Sequence, residues 1–312
     1  MIALTFSQVV DGYNLAAQAR RLSPHTINDY NVTFRKFAAW LRSADPSAAD
    51  PPILQISKHQ LETFLAVQTV GKKTLLNYHT GLSALWTFAY NEGLAHTNLL
   101  RQIQRPRPEK RSIQPFSDED LRALLSALAS SKTYPNHGTA ASNQLPNQDR
   151  NRAIILLLLD TGLRADELCQ ARIADLDTRN LYLKVFGKGS KERILPICPR
   201  DAQALWKYLA SRKTHVPSEP LFVTTHDMPM DRHRLLKQLA AIGRRAGVQN
   251  VHPHRFRHTF AVSFLRNGGN AYTLQIILGH STMEMVRTYL NLAQADLQTA
   301  HRLASPVSNW RL

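Results

Sequence analysis

Four short stretches carry residue types suited to work on an anion. They are Thr161-Gly162-Leu163-Arg164-Ala165-Asp166-Glu167-Leu168, the turn Gly187-Lys188-Gly189, His254-Arg255-Phe256-Arg257-His258, and Leu278-Gly279-His280-Ser281 followed nine residues later by Tyr289. An oxygen nucleophile attacking a phosphodiester builds negative charge on the non-bridging oxygens. Two guanidiniums, planar and always charged, can clamp those oxygens in bidentate fashion. Arg164 and Arg257 suit that task. A tyrosine hydroxyl has a pKa of about 10 and needs a basic neighbour or a positive field to lose its proton. His254 is expected to accept the proton of Tyr289, and His280 to donate to a phosphate oxygen or assist. The departing oxygen also needs a proton. Lys188, at a hairpin tip, is the candidate general acid if nearby arginines depress its pKa. There is no carboxylate cluster, so no metal is expected to be needed.

Each residue also has a plainer reading. Arg164 could merely pair with Glu167, three residues along a helix, or be oriented by it. The lysine turn lacks the G-x-x-x-x-G-K-[ST] spacing of a nucleotide-binding loop. Lys191 could be the acid in place of Lys188. His252, His254 and His258 could hold zinc, but no Cys or carboxylate partner accompanies them. Tyr272 competes with Tyr289 and reads as helix-face packing. Phe34, Phe37, Trp86 and Tyr90 could stack on bases; at helical spacing they read as core.

The chain around these residues has 312 residues, 43% of them hydrophobic and 20% charged, an ordinary globular composition. At ~150 residues per domain the length suits about two domains. The longest apolar run is Ala153–Leu159, far short of the roughly 20 residues of a membrane span. No signal peptide is evident. Two cysteines, Cys169 and Cys198, exclude a disulfide scaffold and an all-cysteine metal site and fit a reducing cytoplasm. Lys and Arg number 39 against 23 Asp and Glu, a net charge of +16. Ten basic and six acidic residues precede position 106; 29 and 17 follow it. Both parts are basic, so both are expected to face one polyanion, with nucleic acid ahead of an acidic membrane surface.

The elements that must position the site are mostly helical. Ser23-Pro24 opens the first clear helix, with Ile27, Tyr30, Phe34, Phe37, Ala38 and Leu41 at helical spacing. Further helices are expected at about 57–68, 73–91 and 98–103. No alternating strand pattern occurs before residue 105, so 1–104 reads as a small helical bundle. The basic, proline-interrupted stretch from Gln104 to Arg111 reads as a linker within 105–116, able to track a phosphate backbone. The second domain, 117–312, begins with a capping pattern at Ser117. Residues 131–149 are polar and without periodicity, a long loop. A buried helix over 150–160 follows, then strands over 181–186 and 193–197 joined by the lysine turn. Helices are expected at about 199–213, 231–246, 253–267, 271–278 and 282–291. The fold class is mainly α with a small antiparallel sheet, α+β.

In order and spacing, the four stretches resemble the tyrosine recombinase (phage integrase) family, most closely its Xer-like members. Residues 22–41 resemble the family's helical, SAM-like core-binding domain, and residues from about 115 to 291 its catalytic domain. By motif, Arg164 matches the first catalytic arginine and Lys188 the hairpin lysine. His254 and Arg257 match the His-x-x-Arg pair, His280 the histidine of Leu-Gly-His, and Tyr289 the nucleophile. The 131–149 insertion is longer than a minimal Xer-like protein needs. The resemblance implies a C-shaped clamp on double-stranded DNA with an inverted-repeat site. It implies a 3′-phosphotyrosyl link, a four-way junction and a homo-tetramer on DNA, with a second recombinase as an alternative partner. Neither ATP nor any other cofactor is implied, because the covalent link conserves bond energy. Leu292, Leu297, Ala300 and Leu303 could dock the tail onto a neighbouring protomer. Rival functions are a type IB-like topoisomerase and a DNA-binding protein without cleavage.

Overall fold

Two compact units divide the chain, Met1–Arg111 and Ser112–Leu312. The computed structural model describes residues 4–108, 114–129, 134–136, 139–141, 147–187, 192–212, 215–280, 282–293, 301, 305 and 307. Lys110, Arg111, Lys188, Lys191, Leu297, Ala300 and Leu303 lie outside the described residues.

The first unit contains α1 (Phe6–Ala19), α2 (Pro24–Ala44), α3 (Lys58–Ala66) and α4 (Lys72–Asn91), with a short 3-10 turn at Leu99–Gln102. Side chains that satisfy the free N–H groups of the first turn start three of the helices. The Ser23 hydroxyl accepts the Thr26 N–H at 3.1 Å, with Pro24 inside the first turn. Ser57 and Gln60 cap α3 reciprocally, the Ser57 N–H reaching Gln60 Oε1 at 2.8 Å. Thr5 and Gln8 do the same for α1, a helix that precedes the first one expected at Ser23. Gly12 weakens its propensity. Its face of Phe6, Val9, Tyr13 and Ala17 is buried only against the other helices. The core is aromatic: Phe6, Phe34, Phe37, Phe64 and Trp86 are at most 2% exposed. Phe37 meets Phe6 and Phe64 edge-on at centroid distances of 5.3 and 5.0 Å, contacts of about 0.5–1.5 kcal/mol each beyond burial. Tyr90 departs from the core reading, with 47% of its surface open.

The second unit runs α5 (Asp118–Ala129), β1 (Tyr134–Asn136), β2 (Thr139–Ala141), α6 (Gln148–Thr161), α7 (Ala165–Gln170), β3 (Leu176–Asp177), β4 (Tyr182–Phe186), β5 (Glu192–Pro196), α8 (Pro199–Ala210), α9 (Arg232–Ala246), α10 (Pro253–Arg266), α11 (Ala271–Leu278) and α12 (Glu284–Ala293). The fold is mostly helical with a small antiparallel sheet, ordered β3-β4-β5. The 131–149 stretch is not wholly a loop: Tyr134 pairs with Ala141 and Asn136 with Thr139 in a short antiparallel hairpin. Backbone pairing makes that hairpin, so no side-chain periodicity betrays it. In the main sheet Val185 faces Arg193 and Phe186 faces Glu192, and the Lys184 ammonium meets the Glu192 carboxylate at 2.7 Å.

Helix α6 is apolar nearly all round and central: Ala153, Ile154, Ile155, Leu157 and Leu158 are at most 1% exposed. It packs against α8 and α10. A separate apolar cluster joins Phe260, Val262 and Leu265 of α10, Leu274 and Leu278 of α11, and Val286, Tyr289 and Ala293 of α12. That cluster fixes α12, and with it Tyr289, against α10. Tyr272 does not pack as expected; it stands on the open side of α11, 66% exposed.

Candidate active site

The C-terminal end of α11 organises the site. A helix end leaves carbonyls without partners and carries partial negative charge. Three guanidiniums take the last three carbonyls in turn. Arg193 donates from Nε to the Ile277 carbonyl at 2.8 Å. Arg257 donates from Nη2 to the Leu278 carbonyl at 2.7 Å. Arg164 donates from Nη2 to the Gly279 carbonyl at 3.0 Å. Gly279 ends the helix at a φ of 61°, where a side chain is strained, and a Cβ there would sit 3.3 Å from Arg193 Nη1. The glycine of Leu-Gly-His is thus favoured by the left-handed backbone, with Arg193 packed close beside it. Gly162 is its counterpart, at a φ of 62° with its carbonyl accepting from Arg257 Nη1 at 2.8 Å. A Cβ there would lie 2.5 Å from Phe260.

Glu167 holds two of these arginines. Its Oε1 accepts from Arg164 Nη1 at 2.8 Å, and its two oxygens accept Arg193 Nη1 and Nη2 at 2.8 and 2.7 Å. Oε2 also accepts the Arg164 backbone N–H at 2.9 Å, which fixes the start of α7. The pairing of Arg164 with Glu167 therefore coexists with placement of Arg164 in the site. Among the described residues, Glu167 is the one carboxylate hydrogen-bonded within this cluster of three guanidiniums. The resulting excess of positive charge suits a bound anion.

His280 and Tyr289 lie next to that charge. Arg257 Nη2 donates to His280 Nε2 at 2.8 Å, which makes that nitrogen the acceptor. The His280 and Tyr289 rings stack at a centroid distance of 6.2 Å and an angle of 10°. Tyr289 is 5% exposed, and its hydroxyl bonds His258 Nδ1 at 2.9 Å.

The electrostatics follow from burial among cations. Burial, then the Arg164 charge, lowers Arg257 to about 10. Burial, then Arg257, Arg164 and Arg193, lowers His280 to about 4. Desolvation, then His252, Arg257, Arg232 and Arg164, lowers His254, whose surface is nonetheless largely open. Burial raises the Tyr289 phenol, while Arg257 and Arg164 oppose that rise. Neutral imidazoles, fixed guanidiniums and a buried phenol form a set suited to nucleophilic attack on a phosphodiester.

Comparison with known proteins matches residues 136–296 to the model of the phage integrase family. The chain belongs to the phage integrase family. It is a tyrosine recombinase with Xer-like relatives. Among curated proteins it is similar to tyrosine recombinase XerC of Pelobacter propionicus, 28% identical over 293 residues, covering 92% of this chain and 91% of that one. The fold matches the Tn1549 transposon integrase in complex with a circular intermediate DNA, at a TM-score of 0.72 and 19% identity, over 93% of this chain and 99% of the other. It also matches XerH site-specific recombinase bound to a palindromic difH substrate, at a TM-score of 0.70 and 22% identity, over 96% and 84% of the two chains.

Within this tyrosine recombinase, the structure brings together Arg164, Arg257, His280 and Tyr289. His254 stands one helical turn before His258 on α10, within the field of Arg257 and Arg164. The imidazole on the Tyr289 hydroxyl is His258, not His254 as expected. His258 is four residues past His254 and therefore on the same helix face, but only the packing of α10 on α12 selects it. Nothing in the local sequence singles out Arg193. It sits on β5, and its partners Glu167 and Ile277 are 26 and 84 residues away in sequence. Lys188 lies outside the described residues. No described helix is long and apolar enough to cross a membrane.

Glu167 offers a test of the scaffold. Burial alone would raise its carboxyl; hydrogen bonds and charge from Arg193 and Arg164 outweigh that and hold it at about 2, below its ordinary 4.5. Its contribution to stability is therefore complete above pH 4.5 and is lost as pH falls through about 2. Glu167→Gln leaves two guanidiniums without their counter-charge and should cost about 3–5 kcal/mol, the usual cost of breaking a buried pair. Urea unfolding at pH 7 reads that loss, and the wild-type advantage should shrink on acidification.

Proposed function

We propose that the protein cuts and rejoins double-stranded DNA at specific inverted-repeat sites, through a 3′-phosphotyrosyl intermediate and a four-way junction. The observation that carries this reading is Tyr289 buried beside clustered guanidiniums at the α11 C-terminus, with its hydroxyl on a neutral imidazole. Arg164 and Arg257 bind the non-bridging oxygens of the scissile phosphate. His254, on the open side, donates to a phosphate oxygen, and His280 is oriented by Arg257 and assists there. Tyr289 attacks the phosphorus and displaces the 5′ oxygen, which takes a proton from Lys188. The 5′ hydroxyl of a partner strand then displaces the tyrosine. The exchange needs two sites and four active tyrosines, so a homo-tetramer on DNA is proposed, with a second recombinase as an alternative partner. Integration, excision or replicon resolution is the biological use. The cytoplasm is its place of work, where the free thiols Cys169 and Cys198 stay reduced.

The test is denaturing capture of DNA covalently bound to the protein from genomic fragments, then sequencing. Inverted repeats flanking the linked position, and exchange between two plasmids carrying that sequence, are expected. Relaxation of supercoiled plasmid without any site requirement would favour a topoisomerase. Binding without an adduct would favour a protein that only holds DNA.

Arg105 and Arg107 are exposed, and with Lys110 and Arg111 they are proposed to follow the phosphate backbone. Binding to a mixed-sequence duplex should weaken with salt. Replacing all four by alanine should flatten the log–log slope by ~0.9 for each phosphate no longer neutralised. An unchanged slope would place the linker away from DNA.

A further inference from the structure

We propose that His258 is the catalytic base of strand cleavage, taking the proton of Tyr289 as its oxygen attacks phosphorus. The inference rests on the recombinase reading above. It assigns the task to His258 in place of His254, the histidine of the His-x-x-Arg pair.

Geometry carries it. The Tyr289 hydroxyl and His258 Nδ1 are 2.9 Å apart, within reach for direct transfer. For that transfer the phenol is the donor and the unprotonated Nδ1 the acceptor, with the ring proton on Nε2. The two rings lie at a centroid distance of 5.6 Å and an angle of 49°, held by the apolar cluster of α10, α11 and α12. His280 also stacks on the tyrosine, but its Nε2 is occupied by Arg257, and its buried Nδ1 has no hydrogen-bond partner among the described residues.

The surroundings of His258 fit a base held neutral. It faces His252, His254 and Arg257 of its own helix, Tyr289 of α12 and His280 beyond α11. Burial, then His254, His252 and Arg257, brings it to about 4, so the imidazole is free to accept at neutral pH. The same burial raises the phenol above its ordinary 10.0. In the resting enzyme the proton therefore stays on Tyr289. A phosphodiester anion bound between Arg164 and Arg257 changes that balance, because negative charge nearby favours the imidazolium. The nucleophile is thereby activated only when its substrate is seated.

In cleavage, a lone pair of Tyr289 Oη forms the bond to phosphorus while the Oη–H proton passes to Nδ1 of His258, giving an imidazolium. The bond from phosphorus to the 5′ oxygen breaks, and that oxygen leaves with a proton from the general acid. In the return step the 5′ hydroxyl gives its proton to the spent general acid as its oxygen attacks phosphorus, the bond from phosphorus to Tyr289 Oη breaks, and His258 gives its proton back to that departing oxygen.

The probe is a duplex oligonucleotide carrying the sequence captured on the wild-type enzyme, nicked beyond the scissile phosphate so that cleaved product accumulates. His258→Gln keeps a hydrogen-bond acceptor for the hydroxyl but no base, and should slow adduct formation by roughly 10²–10⁴ with DNA binding retained. Replacing Tyr289 with a ring-fluorinated tyrosine, whose phenol is more acidic, should restore the His258→Gln rate by at least about tenfold and change the wild-type rate far less, because an acidic nucleophile needs less help from a base. A histidine that merely packs would give no such selective rescue. Cleavage by His258→Gln near the wild-type rate, or equal effects of fluorination in both backgrounds, would overturn the proposal while leaving the recombinase reading intact. No wild-type adduct on any captured DNA would remove that reading and this inference together. If His258→Gln does not fold, nitrogen-15 NMR of the histidines in the wild-type chain decides. The proton of His258 is expected on Nε2, and a proton on Nδ1 would overturn the assignment.

Discussion

Tyr289→Phe binds DNA at near wild-type affinity and forms no covalent adduct. Only the hydroxyl is removed. The ring remains in the cluster with Leu274, Leu278, Val286 and Ala293, and stacked on His280. The arginines keep anchors that do not depend on the phenol, since Arg164 is held by Glu167 and the Gly279 carbonyl and Arg257 by the Gly162 and Leu278 carbonyls. The missing hydrogen bond to His258 is worth about 0.5–1.5 kcal/mol, so the variant stays folded. Chemistry is abolished because the nucleophilic oxygen itself is gone. Denaturing gels of enzyme mixed with captured DNA read the adduct, and a surviving adduct would remove Tyr289 from the mechanism.

Lys188→Ala slows cleavage by roughly 10²–10⁴, the usual range for general acid catalysis, and sulfur in place of the bridging 5′ oxygen restores most of the rate. A thiol has a pKa of about 8.5 and leaves as a thiolate with little help, whereas an alkoxide needs a proton. The strand that follows the lysine in sequence is tied to the site: Arg193 of β5 spans Glu167 and the Ile277 carbonyl. Sulfur should not rescue Arg164→Ala or Arg257→Ala, whose task is charge on the non-bridging oxygens. Rescue of Lys191→Ala alone would move the acid along the turn. Rescue of neither would leave both lysines to position DNA and assign the proton elsewhere.

Much of this site can be read locally. Ser23 and Ser57 announce helix starts because a hydroxyl caps its own first turn. Leu278-Gly279-His280 is legible because a glycine suits the left-handed residue that ends α11. The rest depends on contacts that no window of sequence contains. Strand β3 is two residues long and exists through its pairing with Leu183 and Tyr182. Helix α1 carries its capping box and apolar face, yet Gly12 dilutes the pattern and the bundle completes it. Arg193 reads as an ordinary strand arginine until the fold carries it to Glu167. His258 reads as the last member of a histidine-rich turn until α10 packs on α12 and sets it against Tyr289.

The central claim is that Tyr289 becomes joined to DNA through a 3′ phosphate. Mass spectrometry of the peptide that retains nucleotide, after protease and nuclease digestion of the captured adduct, tests it most directly. The account predicts one modified peptide, containing Tyr289, with the nucleotide attached through its 3′ phosphate and a free 5′ hydroxyl on the released strand. A nucleotide attached to any other residue, or through a 5′ phosphate, would contradict it.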